Sequence, residues 1–143
     1  MYILHIVCGL PASGKSTFSR ALAIDRGAAF FDSDTATDLV IQAAHRAAGI
    51  DPHDRDSCVY KLTYREAVYE TLFSLAEENL EHTDVIIAGP FTSELEDKDL
   101  WLEKLEERFS GSEVRLHHIE ISESLRLERM KGRGAKRDKA KLG

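Results

Sequence analysis

The chain has 143 residues, a formal net charge of −6 at pH 7 and 31% charged residues. This length accommodates one domain with a sizeable core and leaves little room for two. The acidic balance argues against a protein that binds nucleic acid over a broad basic face. No apolar run reaches the ~18 residues that are needed to span a membrane, so no membrane partner is expected.

The start of the chain and the cysteines bear on the compartment. Residues 1–10 are largely apolar but lack a basic leader and a small-residue cleavage site, so we interpret them as a strand and not as an export signal. The two cysteines, Cys8 and Cys58, match no metal-binding or redox spacing. We interpret both as reduced thiols, with Cys8 buried in the strand, which predicts a cytoplasmic location.

Strands and helices alternate along the first third of the chain. Residues 3–8 form an apolar run that is typical of a strand buried on both faces. Residues 15–26 have the period of an amphipathic helix, which is expected to end at Gly27. A short strand at 28–31 and a helix at 35–48 are predicted next.

The alternation continues to the end of the chain. One long helix is predicted over 57–81, then a strand at 85–88, a helix around 101–109 and a strand at 114–121, after which Ser122 can cap a last helix. Strands that alternate with helices form right-handed βαβ units. The sequence therefore predicts an α/β fold with three α/β/α layers around a mostly parallel sheet.

One segment carries a motif with defined chemistry. Residues 9–16 satisfy every fixed position of the phosphate-binding pattern G-x-x-x-x-G-K-[ST], known as the Walker A motif or P-loop. Its glycines let successive backbone N–H groups turn toward phosphate oxygens, and the following helix begins at the same point. The residues expected to bind the nucleotide are Gly9, Leu10, Pro11, Ala12, Ser13, Gly14, Lys15, Ser16 and Thr17.

Three side chains of the P-loop have separate expected roles. Lys15 reaches the β- and γ-phosphates of ATP and is therefore also catalytic, Ser16 places its hydroxyl on Mg²⁺, and Thr17 helps to hold the α-phosphate. ATP and Mg²⁺ are thus the predicted cofactors. The structural alternative is a glycine turn that precedes a helix with a chance Lys-Ser pair.

Two further segments with possible functional side chains directly follow predicted strands. They are Asp32-Ser33-Asp34 and residues 89–92. Ligands of parallel sheets bind at the carboxyl ends of the strands, so both segments are expected to gather beside the P-loop. Thr92 could hydrogen-bond a phosphate acceptor there, with capping of the following helix as the alternative.

The end of the chain is basic. From residue 126 to residue 141, eight Lys or Arg stand against two acidic residues. Arg129, Arg133 and Arg137 recur every four residues, which aligns them along one face of a helix. Such arginines can close over phosphates, stabilise the charge of the transferring group and exclude water. The alternative is a solvated, charged helix.

These stretches resemble the small P-loop kinases grouped with nucleoside monophosphate kinases, gluconate kinase and the zeta-toxin kinases, and within that group the AAA family ATP-binding proteins. The similarity rests on residues 9–17, 85–92 and 126–141, the last of which resembles an arginine-rich lid. It implies one kinase domain over residues 1–143 with a lid at about 126–141. It also implies transfer of the ATP γ-phosphate to a hydroxyl or phosphate of a small molecule, nucleoside or nucleotide.

The resemblance also implies site residues. Arg129 and Arg133 would be catalytic, and Arg129 and Arg137 would contact the nucleotide. In the resembling kinases an acidic residue after the second strand is the general base, which makes Asp34 the candidate here and Asp32 the second choice. The alternative for this segment is that Ser33 or Asp34 caps the next helix.

The sequence departs from the kinase pattern at two places. Many relatives carry an aspartate at the end of the third strand that helps to position Mg²⁺, whereas this chain has Ala88, so Asp34 or Asp32 is expected to supply that charge. Relatives also continue past the lid into another strand and helix. The chain is therefore expected either to end early or to be part of a longer protein.

Four residues outside these motifs have expected positions. Arg65 and Tyr69 could face the phosphate acceptor, but core packing is favoured for Tyr69 and surface exposure for Arg65. His117 and His118 are adjacent on a strand and point to opposite faces, so they cannot form a two-ligand site together. We interpret both histidines as structural.

Two other functions remain as alternatives. A polynucleotide 5′ kinase would need a basic groove, which the acidic composition does not favour, so nucleic acid is an unfavoured partner. A nucleotide-dependent ATPase or switch would lack a phosphate acceptor, but the guanine motif N-K-x-D and the transporter motif L-S-G-G-Q are absent from the sequence. The predicted partners are therefore ATP and an unidentified small-molecule acceptor.

Overall fold

The centre of the molecule is a parallel sheet. The computed structural model describes residues 1–133, without the side chains of a few residues in the last helix. In this part of the chain the sheet has four strands in the order β2-β3-β1-β4. The strands are β1 (Ile3–Cys8), β2 (Ala29–Asp32), β3 (Val85–Gly89) and β4 (Glu113–His118).

Helices connect the strands and cover both faces of the sheet. Within the described residues they are α1 (Lys15–Arg26), α2 (Ser33–Ala47), α3 (Cys58–Thr63), α4 (Arg65–Asn79), α5 (Lys98–Arg108) and α6 (Glu123–Arg133), with a 3-10 helix at Glu94–Asp97. Helix α1 packs on one face of the sheet, and α2, α4 and α5 pack on the other. The predicted three-layer α/β fold with a parallel sheet is therefore confirmed.

The core follows the alternation of β1. Leu4, Ile6 and Cys8 belong to the large cluster under α2, α4 and α5, and Val7 belongs to the smaller cluster under α1. All four are fully buried, which is why the strand appears in the sequence as a continuous apolar run. Both cysteines are free thiols, and burial raises the pKa of the Cys8 thiol to about 12.

The predicted long helix over 57–81 is wrong, because the structure divides it at Tyr64 into α3 and α4. The Tyr64 ring packs edge-on against buried His45 at 5.0 Å between centroids, and it stacks with Tyr60. Helical periodicity runs across this break, so only packing against α2 reveals it. The break places Arg65 at the start of α4.

The predicted strand at 114–121 is shorter in the structure and ends at His118. Its partner β1 ends at Cys8, where the chain turns into the P-loop. One further hydrogen bond, from the Ile119 N–H to the Cys8 carbonyl at 2.8 Å, ties the next residue to the sheet. Beyond Cys8, β1 has no further residues with which β4 could pair.

A histidine pair joins β1 to β4. His5 Nδ1 lies 3.0 Å from His117 Nε2, and the rings stack at 5.2 Å. Burial, together with the neighbouring His117 and Arg115, lowers the pKa of His5 to about 4, and burial also lowers the pKa of His117. His117 thus has a packing role, as predicted, with a partner in β1 that the sequence did not reveal.

No helix in residues 1–133 is long and apolar enough to cross a membrane.

Candidate active site

The P-loop has the backbone geometry that its sequence predicts. Gly14 has φ 97° and Ala12 has φ 62°, so the chain turns twice through the left-handed region before α1 begins. Gly9 is needed for close approach, because a Cβ there would lie 2.6 Å from Ser13 Oγ and 3.0 Å from the Ile119 carbonyl oxygen. The first turn of α1 has no acidic residue and no side-chain cap, which leaves its N-terminus suited to an anion.

Lys15 lies over this loop. Its Nζ donates a hydrogen bond to the Gly9 carbonyl oxygen at 2.9 Å, which holds the ammonium group against the turn. Ser16 and Thr17 follow in the first turn of α1 and line the same cavity as Lys15. The loop therefore combines a lysine charge, two hydroxyl groups and a helix N-terminus at one place. This arrangement is typical of sites that bind a nucleoside triphosphate with Mg²⁺.

A cavity of about 1040 Å³ lies at the carboxyl edge of the sheet. The P-loop, Asp32-Ser33-Asp34 and the pair Pro90 and Thr92 all line it, so the three segments converge as predicted. Further lining residues come from the loop before α3 and from the starts of α3 and α4; those that carry charge are Arg55, Asp56, Lys61 and Arg65.

The two aspartates after β2 have different surroundings. Asp32 Oδ2 accepts hydrogen bonds from the Asp34 and Thr35 N–H groups, both at 3.1 Å, so Asp32 is the N-cap of α2. The alternative that Ser33 or Asp34 caps this helix is therefore wrong. Asp34 is in the first turn of α2 and lines the cavity. It is also close enough to Arg55 to help keep that guanidinium charged.

The donor set at the P-loop suits a magnesium ion. Ala88 is fully buried and pairs in register with Asp32, so the end of β3 contributes no carboxylate. Ser16 contributes a hydroxyl, and Asp34 and Asp32 contribute carboxylates, that line the same cavity. Mg²⁺ commonly uses one or two such protein oxygens and takes the rest of its ligands from phosphates and water. Among the described residues no cluster of His, Cys, Asp or Glu forms a separate metal site.

Arg55 is a site residue that the sequence did not indicate. It lies between the predicted helices at 35–48 and 57–81, yet its side chain is only 8% exposed. Its Nη2 donates to Asp38 Oδ1 and its Nη1 to the Tyr60 hydroxyl, both at 2.9 Å. Burial opposes its charge, but these two hydrogen bonds hold the pKa of Arg55 above its ordinary value. The cavity therefore has a fixed cation beside Asp34.

Arg65 is also at the cavity, and the predicted surface exposure is wrong. Its side chain is 18% exposed, Nη2 donates to Thr92 Oγ1 at 2.7 Å, and Glu94 Oε2 lies 3.8 Å away. Thr92 thus accepts from an arginine and does not cap α5, which Asp97 caps instead. The expected position of Thr92 in the acceptor region is compatible with this geometry.

Tyr69 packs in the core, as predicted. It is 7% exposed, and burial is the main reason that its pKa rises to about 12. Its ring stacks on Phe91 at 4.3 Å, and its hydroxyl accepts the Phe91 N–H at 3.0 Å. Phe91 has φ 47°, a conformation that L-residues rarely adopt, so this pair of contacts holds the turn that leads to Thr92.

The arginine-rich segment is described only in part. Ser122 accepts the Leu125 N–H at 3.3 Å and caps α6, as predicted, and Met130 on this helix is buried. The backbones of Arg129 and Arg133 belong to α6. Their side chains, together with Arg137 and the rest of the segment to residue 141, lie outside the described residues.

Comparison with known proteins identifies the family. A family model described as "AAA domain" matches residues 4–142. No curated protein matches the sequence. A gluconokinase from Sinorhizobium meliloti 1021 is similar at 23% identity and a TM-score of 0.55, over 91% of this chain and 64% of that chain. This chain thus spans less than two thirds of the gluconokinase.

Two other solved structures have the same fold. A sugar kinase from Janibacter sp. HTCC2649, in an unliganded structure, is similar at 19% identity and a TM-score of 0.62, over 99% of this chain and 73% of that chain. A chain of the Pnkp1/Rnl/Hen1 RNA repair complex is similar at 20% identity and a TM-score of 0.54, over 92% of this chain and 37% of that chain. With its P-loop, parallel sheet and family match, the chain belongs to the AAA domain family and has the fold of the small P-loop kinases.

Proposed function

We propose that the protein is an ATP-dependent phosphotransferase that moves the γ-phosphate of ATP to a hydroxyl or phosphate of a small molecule, nucleoside or nucleotide. One observation carries the proposal: a single cavity of about 1040 Å³ is lined by the P-loop and by polar side chains from three other segments. A kinase needs space for a second substrate beside the nucleotide, whereas a switch or simple ATPase does not.

The nucleotide would bind at the P-loop. The N-terminus of α1 and the Lys15 ammonium would stabilise the β- and γ-phosphates, and Thr17 would contact the α-phosphate. Ser16 and Asp34 would hold Mg²⁺, which neutralises charge on the phosphate oxygens when it is bound. This assignment is supported by the presence of all four side chains at one cavity.

The acceptor would react beside Asp34. The hydroxyl oxygen of the acceptor would form a bond to the γ-phosphorus of ATP. The bond between that phosphorus and the oxygen that bridges it to the β-phosphate would break, so that ADP leaves. The hydroxyl proton would pass to a carboxylate within hydrogen-bond reach. Asp34 is preferred over Asp32 for this role because one Asp32 oxygen already accepts the N–H groups that begin α2.

The lid assignments extend the proposal. We infer that Arg129 and Arg133 stabilise the transferring phosphoryl group and that Arg129 and Arg137 contact the nucleotide, as the resemblance implies. We also propose one kinase domain over residues 1–143 and a cytoplasmic location, which the free cysteines support.

A polynucleotide 5′ kinase is the second candidate. The structural similarity to a chain of an RNA repair complex favours it, although that similarity shows the fold alone. The net charge of −6 opposes it, because nucleic acid binding relies on a basic face.

Label transfer from γ-labelled ATP with Mg²⁺ tests both candidates. The acceptors would be sugars, sugar acids, nucleosides, nucleotides and a 5′-hydroxyl oligonucleotide. We expect label in one small-molecule class, loss of transfer with Lys15→Ala, and full transfer with the control Lys104→Ala, which changes an exposed lysine on α5. Label in the oligonucleotide would favour the second candidate. Free phosphate that is released equally with every acceptor would contradict both.

A further inference from the structure

We propose that the phosphate acceptor carries an anionic group, a carboxylate or a phosphate, which Lys61 and Arg65 bind at the end of the cavity formed by α3, the start of α4 and Thr92. This inference rests on the proposed kinase function and narrows its substrate class. It starts from the distribution of charge along the cavity wall.

Cations are concentrated at this end of the cavity. Arg55, Lys61 and Arg65 line it together with Asp56. The adjoining cavity, which Lys61 and Arg65 share, is also lined by Glu66, Glu94 and Glu70, the last of which is paired with Arg108. Arg55 is already compensated, because Asp38 lies behind it at 2.9 Å and its side chain is 8% exposed. The charges available to a ligand are therefore those of Lys61 and Arg65.

Arg65 is partly buried, and its ion pair with Glu94 is a long one. Glu94 Oε2 is 3.8 Å from its Nη2, beyond hydrogen-bond distance, and the 2.7 Å partner of that nitrogen is the neutral Thr92 hydroxyl. A cation removed from water is costly unless an anion compensates it. A guanidinium has several N–H donors in a planar fork, so it retains donors for a carboxylate or phosphate.

Arg65 is also held in place before any ligand binds. Thr92 fixes one nitrogen, and the guanidinium lies over the Tyr69 ring with its Cζ 5.7 Å from the centroid. Tyr69 is in turn fixed by Phe91. Little side-chain freedom is left to lose on binding, which favours affinity for a ligand that fits the fork.

Lys61 supplies the second charge. It precedes Arg65 by four residues, and in the described part of the chain its ammonium group has no hydrogen bond or ion pair. Lys61 and Arg65 line both the main cavity and an adjoining one of about 560 Å³. An anionic group at their junction can therefore belong to an acceptor whose hydroxyl reaches toward Asp34.

Kinetics with matched acceptors test this inference. One set contains a neutral sugar, its acid and its phosphate ester, such as glucose, gluconate and glucose 6-phosphate. A second set contains adenosine and AMP. We expect at least about tenfold higher kcat/KM for one anionic member, which corresponds to one good charge-assisted contact. The acid and the ester distinguish a carboxylate from a phosphate as the group that is bound.

Variants identify the residues. Arg65→Met and Lys61→Met should raise KM for the anionic acceptor, by about tenfold or more for Arg65, while KM for ATP stays within about twofold. Arg65→Lys keeps the charge without the fork and should lie between wild type and Arg65→Met. The control Lys104→Met should match wild type, and thermal unfolding checks that every variant is folded.

Equilibrium binding separates this inference from the kinase proposal. Titration of inorganic phosphate into the protein with Mg²⁺ and ADP present should show saturable binding that Arg65→Met removes and Lys104→Met retains. Equal kcat/KM values for neutral and anionic acceptors would overturn this inference but would leave the proposed kinase function intact. A higher KM for ATP in Arg65→Met with every acceptor would also overturn the inference, because Lys61 and Arg65 would then bind the nucleotide and not the acceptor. ATP hydrolysis without transfer to any acceptor would contradict the proposed kinase function. The phosphate titration of wild type and Arg65→Met would then test the anion site independently of that function.

Discussion

The Tyr69 hydroxyl accepts the backbone N–H of Phe91 at 3.0 Å, and the two rings stack at 4.3 Å. This contact lies in the core, yet it holds the left-handed turn at Phe91 from which Thr92 reaches Arg65. The position of the proposed acceptor contact is therefore set by a tyrosine that does not have to touch the acceptor.

Removal of that hydroxyl tests the relationship. Tyr69→Phe keeps the ring but leaves the buried Phe91 N–H without its acceptor, which should lower the free energy of unfolding by about 1–3 kcal/mol. Denaturant unfolding measures this loss. Tyr2→Phe is the matched control, because Tyr2 is exposed, and it should change stability by less than about 0.5 kcal/mol. Equal losses of unfolding free energy in both variants would show that the hydrogen bond from Phe91 to Tyr69 does not stabilise the fold.

The P-loop makes a prediction at Gly9. Gly9→Ala places a Cβ 2.6 Å from Ser13 Oγ and 3.0 Å from the Ile119 carbonyl, so the loop must shift and nucleotide affinity should fall by about tenfold or more. Titration with a fluorescent ADP analogue and Mg²⁺ measures the affinity. At Gly111 an added Cβ meets nothing within 4 Å, so Gly111→Ala should bind like wild type. Unchanged affinity in Gly9→Ala would contradict the geometry of the loop.

The two aspartates after β2 should separate catalysis from stability. Asp34→Asn should lower kcat by about 100-fold or more, because an amide cannot accept the proton. Asp32→Ala should cost about 1 kcal/mol of stability, because it removes the N-cap of α2. Rate measurements combined with denaturant unfolding distinguish the two. A larger kcat loss in Asp32→Asn, which preserves capping, would make Asp32 the base.

The ion pair of Arg55 with Asp38 should stabilise the fold. Asp38→Asn leaves the Arg55 charge, which is 8% exposed, without its counter-ion, and we expect a loss of about 2 kcal/mol in the free energy of unfolding. Glu113→Gln is the comparison, because its pair with Arg115 is 40–49% exposed and should contribute less than about 1 kcal/mol. If both variants unfold alike, Arg55 is not held by this pair.

The histidine pair predicts a pH dependence of stability. The pKa of His5 is about 4 in the folded protein against an ordinary value of 6.5, so between these values the unfolded chain binds more protons. Stability is therefore fully present above pH 6.5 and falls as the pH drops toward 4, by at most about 3 kcal/mol for His5, since one pKa unit corresponds to about 1.4 kcal/mol. The lowered pKa of His117 acts in the same direction.

Unfolding midpoints between pH 4 and pH 7.5 measure this effect. His5→Leu should flatten the profile in that window, whereas the exposed His82→Gln should leave it unchanged. A wild-type profile that is flat from pH 6.5 to pH 4 would show that neither His5 nor His117 resists protonation.

The sequence was most informative where the determinants are local. The P-loop spacing, the apolar runs of β1 and β3 and the amphipathic helix before Gly27 each lie within a few residues, and each was confirmed. Each of these signals reports a period or a turn requirement, which depends on neighbours along the chain. The two-helix division at Tyr64 was missed because a ring from α2 decides it.

Only the tertiary structure decided the composition of the acceptor wall. Arg55 meets Asp38 across 17 residues and Arg65 meets Thr92 across 27 residues, and no spacing rule connects such partners. Local patterns could identify a nucleotide site because a phosphate is bound by consecutive backbone groups of one loop. They placed Thr92 near the acceptor but did not show which side chains surround it, because these are brought together only when α2, α4 and β3 pack against one another.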